Sequence, residues 1–385
     1  MMHSLRSFAI HPPSYSVGLV FFTMSLLFGS WFARLPEMQA QLGLGEGGFG
    51  LVLLSLPLGA MLATQSAGFL LQKLPLGSAN VGGSIGLCLV LILPTLAPSA
   101  FWLVIALFLV GLVDGFLNVA MNAAANELEE QMNVKILSTC HGMFSFGAMI
   151  GALGAGYLAN LGVSLTVHFS ALAFLLIGLT LIIRPILLQL PNPEPTERPT
   201  FAWPSRAILG IVLIGMFIML AEGTIADWSA IYLSKYLGAS PWEAGLGFAG
   251  FSLTMAIGRF SGDHLRHQWG ARRILYFGTL IAFFGYLLAL CSDWVSLTIL
   301  GFTIVGIGLS VGVPVVFSEA ARRSKKQPGV GIAAVATFGL VGFLGGPPLV
   351  GLIAEALGLD SGLAIIGGLL LVAWMMVQRQ PWEAE

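Results

Sequence analysis

Charge is what this chain has least of. Asp, Glu, Lys and Arg together make up 9% of its 385 residues, against 57% hydrophobic, where a water-soluble domain carries about 25% charged residues. So few charges cannot cover a water-facing surface, so the chain must largely be solvated by lipid. The net charge is −1, and the basic residues are scattered between apolar runs, which leaves no electrostatic footprint for nucleic acid. Cysteine is almost as scarce. Cys88, Cys140 and Cys291 all fall in apolar stretches, without zinc-site spacing or a disulfide framework, and read as small packing residues. Of the six histidines, only His264 and His267 are close in sequence, with no acid beside them beyond Asp263. That excludes the clustered His and Asp constellation that a membrane enzyme acting on lipid would need. No nucleotide-binding motif is present, so nothing suggests ATP, another cofactor or a metal.

What is present is apolar sequence and 49 glycines. Small residues let membrane helices approach closely, because lipid supplies no hydrophobic force between them. A membrane helix needs about 20 mostly apolar residues. Twelve stretches qualify: 14–34, 47–71, 77–96, 100–124, 138–160, 164–187, 206–235, 242–262, 272–291, 294–318, 328–352 and 361–379. The first, with its short head "MMHSLRSFAIHPPS", reads as a retained helix, since no small-residue cleavage site precedes a soluble domain. An even count puts both termini on one side. With the termini in the cytoplasm, 15 of the 17 Lys and Arg residues fall inside, and only Arg34 and Lys235 fall outside. This asymmetry sets the orientation, and a bacterial inner membrane is the expected location.

The five prolines of 189–204, "QLPNPEPTERPTFAWP", mark the one clear linker. The expected organisation is a six-helix bundle over 1–188, a cytoplasmic linker over 189–205 and a second six-helix bundle over 206–385. The halves show faint likeness. Trp31 and Trp228 each stand at the outer end of a span, followed by a short hinge containing LG and a Gly-rich span opened by an acid, Glu46 or Glu243. Two repeats of six spans, with a substrate site near the midplane between the halves, is a transporter architecture.

The stretch "GRFSGDHLRHQWGARR" (258–273) resembles the signature loop of the major facilitator superfamily. Gly258, Gly262, Asp263, Gly270, Arg272 and Arg273 match it. Asp263 could accept hydrogen bonds from Arg259, one turn earlier, or from a neighbouring helix N-terminus, forming a latch at the inner face. The corresponding stretch in the first half, 68–78, lacks the acid and the arginines. "NVAMN" (118–122), "STCHGMFSFGAMIGA" (138–152), "EGTIADWSAIYL" (222–233), "GVPVVFSEAARR" (312–323) and "GGPPLVG" (345–351) narrow the resemblance to a bacterial branch related to the fucose permease. That resemblance implies an all-α fold of two pseudo-symmetric six-helix bundles. In those relatives an acid serving proton coupling and sugar binding typically occupies the position of Asn118. Here Asp114 lies one turn earlier instead.

Polar residues inside the spans mark a pathway. Asp114, Asn118, Asn122 and Asn126 recur every four residues along the fourth span, forming a slowly drifting stripe. Asp114 is about 21 Å from the outer end of that span, at 1.5 Å rise per residue. A carboxylate facing lipid there would cost about 2.5–3.5 kcal/mol or more, so the stripe must face protein or water. Asparagines bonding between helices are the alternative. Glu222, mid-depth in the seventh span, has no basic neighbour in sequence. Such a carboxyl can load and release a proton as water access alternates.

Asp227 could pair with Arg34 as an outer gate. Trp31 and Trp228 belong either to an interfacial belt or to a stacking surface for a sugar-like ring. Gln65 is a further cavity candidate. His141 reads as a solvated residue at a helix start, and Pro347 with Pro348 as a break in the eleventh span. The expected protein is a monomeric secondary transporter, not an enzyme. It would carry a small polar, possibly sugar-like, solute with a proton. The alternatives are a proton-driven exporter of drug-like or metabolite compounds, and a receptor or channel that needs no titratable acid.

Overall fold

A computed structural model describes residues 8–132, 134, 136–192, 202–324 and 328–382; the side chains of Asp263 and Pro328 lie outside the description. Every regular element among the described residues is helical. The first span is α1 (Pro12–Ala33), which opens on a proline where a missing N–H is harmless. The short α2 (Leu35–Gln41) leads into α3 (Glu46–Leu53) and α4 (Ser55–Leu71), which together make the second span. Next come α5 (Leu76–Val90), α6 (Ala100–Met132), α7 (Leu137–Asn160) and α8 (Leu165–Leu187). Then follow α9 (Leu209–Ile231), continued by a π turn at Tyr232–Tyr236, and α10 (Pro241–Leu290). The chain closes with α11 (Val295–Leu309), α12 (Gly312–Arg323), α13 (Pro328–Leu357) and α14 (Leu359–Arg379). Eleven helical segments among the described residues are long and apolar enough to cross a membrane. The remaining span, the eighth in order, is the first limb of α10, which is less apolar because it carries Glu243 and Arg259.

Three elements differ from the sequence expectation. Helix α6 is 33 residues long, about 50 Å at 1.5 Å per residue, and so outruns the apolar core. Its polar end "NELEE" stays helical, and Glu129 turns back to accept the backbone N–H groups of Ile136 (2.5 Å) and Leu137 (2.7 Å) at the start of α7. The signature stretch 258–273 is not a loop but helix on both sides of one residue, Gly270, at φ 70°, ψ 164°. Only glycine adopts that backbone readily. Pro347 and Pro348 do not break the eleventh span, since both lie inside α13. A proline removes a donor, but here the helix geometry persists around that loss.

The chain divides into two compact units, residues 1–44 with 52–196, and residues 45–51 with 197–385. The linker expected at 189–205 falls largely on residues 193–201, outside the described set. Its start is held by Asn192, whose side-chain oxygen accepts the Leu76 N–H at 2.8 Å.

Within the first unit α1 packs on α7, α4 on α6 and α5 on α8. Within the second, α9 packs on α13, α11 wedges between the two limbs of α10, and α14 packs on the second limb. Counted as spans, these are first on fifth, second on fourth and third on sixth, the same order in each unit. Glycines make these crossings close. A methyl at Gly111 of α6 would overlap the Leu56 carbonyl of α4, and one at Gly308 of α11 would overlap the Gly278 carbonyl of α10.

Candidate functional site

In the first unit the polar stripe lies along α6. Gly111 and Gly115 press this helix onto Leu56 and Ala60 of α4, which fixes the rotation of α6 and with it the direction of Asp114. The Oδ1 atom of Asp114 is buried and has no hydrogen-bond partner among the described residues. Asn118 is exposed, and Asn122 donates to its carbonyl at 2.8 Å and to its side-chain oxygen at 3.3 Å. This carboxamide pair therefore bonds along its own helix, not across to a neighbour. Asn126 is half-buried near the polar end of α6, and Gln65 is exposed on α4.

In the second unit the centre is an ion pair between helices. Glu222 of α9 accepts from Nη2 of Arg259 on the first limb of α10 at 3.3 Å, with the two side chains 13% and 16% exposed. The sequence expectation of an unpaired Glu222 is thus corrected: its counter-charge comes from a helix 37 positions on. Gly258 makes the approach possible, because any side chain there would overlap Ser310. The other oxygen of Glu222, Oε1, is buried without a partner among the described residues. One residue before it, the Ala221 carbonyl accepts from the hydroxyl of Tyr286 at 3.1 Å, so the backbone of α9 is tied to the second limb of α10 at this level.

Several expected roles change. Arg34 is committed inside the first unit: it pairs with Glu37 at 2.7 Å, donates to the Val163 carbonyl at 2.6 Å and lies 3.4 Å from Nδ1 of His168. The Arg34 side chain is 1% exposed, so the cation expected for an outer gate is satisfied largely by acceptors of its own unit. Asp227 itself is half-buried on α9 and makes no ion pair among the described residues. Trp31 and Trp228 are 1% and 0% exposed, so neither belongs to an interfacial belt or offers an open stacking face. Trp31 meets Phe169 edge-on, and Gly351 gives the Trp228 ring its room. His141 is half-buried and meets Phe21 edge-on at 5.3 Å. Of the latch residues, Arg272 and Arg273 are exposed, Gly262 faces Val311, and Asp263 lies outside the described side chains.

Other polar clusters are not apparent in the sequence reading. Glu319, 3% exposed, accepts from Arg322 at 2.8 Å and Arg323 at 3.3 Å, and Arg323 continues to Gln380 at 3.1 Å. The run "SEAARR" carries that signal at i, i+3 and i, i+4 spacing. Asn80 of α5 donates to the Ala120 carbonyl of α6 at 3.2 Å, a true interhelical carboxamide bond; a lone Asn in an apolar, glycine-rich span is its only trace. No group of three or more His, Cys, Asp and Glu that could hold a metal exists among the described residues.

Chemically, each unit offers one buried carboxyl oxygen that can take a proton or a donor from a solute, and the second unit adds a cation. Residues 209–384 match the model of the Major Facilitator Superfamily. An uncharacterized MFS-type transporter of Yersinia pestis is 33% identical over 356 residues, 92% of each chain. Among solved structures, a point mutant of the nucleoside transporter NupG matches with TM-score 0.74 at 12% identity, covering 96% of this chain and 100% of that one. The outward conformation of the MFS transporter FucP matches with TM-score 0.65 at 17% identity, covering 97% and 99%. With a relative of that identity matched along nearly its whole length and a twelve-span all-helical fold, this chain belongs to the Major Facilitator Superfamily of transporters.

Proposed function

We propose that this protein is a secondary active transporter that carries a small polar solute together with a proton across the bacterial inner membrane by alternating access, with both termini in the cytoplasm. The observation that carries the reading is the pair of acids deep in the spans, Asp114 and Glu222, each with one buried oxygen that no group among the described residues satisfies. A buried acceptor left open costs about 1–3 kcal/mol, and a membrane acid is costly in itself. Such groups persist where they bind something that comes and goes. The carboxamides of Asn118 and Asn122 beside Asp114 suit hydroxyl or amine groups, which favours a sugar-like or polyol solute. The likeness of "NVAMN" and "GGPPLVG" to the fucose-permease branch supports the same class.

The test is uptake into proteoliposomes across a panel of sugars, sugar acids, polyols and amines, with and without an inward proton gradient. One panel member is expected to accumulate only with the gradient. Glu222→Gln and Asp114→Asn are expected to abolish that accumulation while leaving counterflow within a few-fold of wild type. Accumulation by either variant at the wild-type level would overturn the proton role of that residue.

A further inference from the structure

The Arg259–Glu222 pair joins two features that the sequence presents as unrelated, the signature stretch and the intramembrane acid of the seventh span. We infer that Arg259 is a positioning residue for the proton site: it holds Glu222 as a carboxylate, and proton arrival at Glu222 releases the arginine and with it the signature segment of α10. The inference rests on the reading of Glu222 as a proton carrier and goes beyond it by naming what opposes the proton and what moves when it binds.

The geometry carries this. Glu222 and Arg259 face each other from α9 and α10 at 3.3 Å, both largely buried. A pair at this distance in low dielectric is strong but conditional, because neutralising the carboxylate removes its attraction for the guanidinium. Most other charged and titratable groups on the surrounding elements, among the described residues, are engaged elsewhere or lie near helix ends. Tyr286, from the second limb of α10, is bonded to the Ala221 carbonyl. On α12, Glu319 is already held by Arg322 and Arg323. The charged residues of α13 and α14 are Glu355, Asp360 and Arg379, all near helix ends, and α11 has none. The π turn offers Tyr232, Tyr236 and Lys235, the last paired with Glu46 at 3.1 Å. Asp227 lies five positions further along α9 itself.

Arg259 is also well placed to transmit its release. It adjoins Gly258, which lies against Ser310 where α11 gives way to α12, and it sits one turn before the signature acid Asp263. A guanidinium that leaves Glu222 therefore departs from the point where α10 crosses the joint of the tenth span. Because both partners lie in the second unit, the switch needs no rearrangement of the first.

The experiment uses the proton as probe and needs no identified solute. Infrared difference spectra of the purified protein in lipid are recorded while the pH is stepped across neutrality, following the carbonyl band of protonated carboxyl groups. Wild type is expected to show a band that Glu222→Gln removes. Arg259→Gln is expected to stop that band from changing over the same pH range, and Arg259→Lys, which keeps the charge, to restore the change. Should Arg259→Gln fail to fold, Arg259→Lys against wild type still reads the effect as a displaced midpoint. A Glu222-dependent band that titrates identically in wild type, Arg259→Gln and Arg259→Lys would overturn the role of Arg259 while leaving the proton reading intact. No Glu222-dependent band at all would overturn both.

Discussion

The two units carry their intramembrane polar groups in opposite ways. In the first, carboxamides run along one helix and bond to each other a turn apart, and Asn118 is exposed. In the second, an acid and an arginine meet across two helices and are largely buried. The first arrangement lets the carboxamides of α6 change their bonds without breaking a side-chain link to another helix, while Gly111 and Gly115 keep the helix itself fixed against α4. The second makes the relation between α9 and α10 depend on charge. A single protein can thus hold a passive, adaptable polar surface in one bundle and a charge-sensitive tie in the other, although both bundles pair their spans in the same order.

That contrast is open to attack. The largest effect is expected at the ion pair: Arg259→Gln should cost about 3–5 kcal/mol by removing one partner of a buried pair, and adding Glu222→Gln should recover most of the loss. Thermal unfolding of the purified variants reads this directly, and a double variant no more stable than the single one would break the comparison. Next is Gly111→Val, which forces a side chain into the Leu56 carbonyl of α4 and should cost about 1–3 kcal/mol. The smallest is Asn122→Ala. Its bonds lie within one helix, so thermal stability should change by only about 0.2–0.5 kcal/mol, while uptake of the transported solute falls. A large stability loss here would mean that the stripe is structural after all.

The fold is legible because lipid imposes a strict length and hydropathy rule on each span, and the twelve expected stretches match the helices closely. The rule says nothing once a helix leaves the apolar layer, which is why the end of α6 escapes it: "NELEE" is polar but favours helix. The signature stretch reads as a loop because its charges resemble one, whereas a single glycine makes the turn. The polar stripe of α6 is visible because a four-residue period stays on one helix. The Arg259–Glu222 pair is not, because it depends on two helices crossing, and the sequence shows only the glycine that permits it. Trp31 and Trp228 mislead for a related reason: an aromatic near a helix end looks the same in sequence whether lipid or another helix covers it.

The turn at Gly270 has a mechanical consequence. Two long rods meet at one residue, with no slack between them, so the tilt of one is handed to the other as torque. An insertion of a few flexible residues beside Gly270 would absorb that torque, and the second limb of α10 would cease to follow the first.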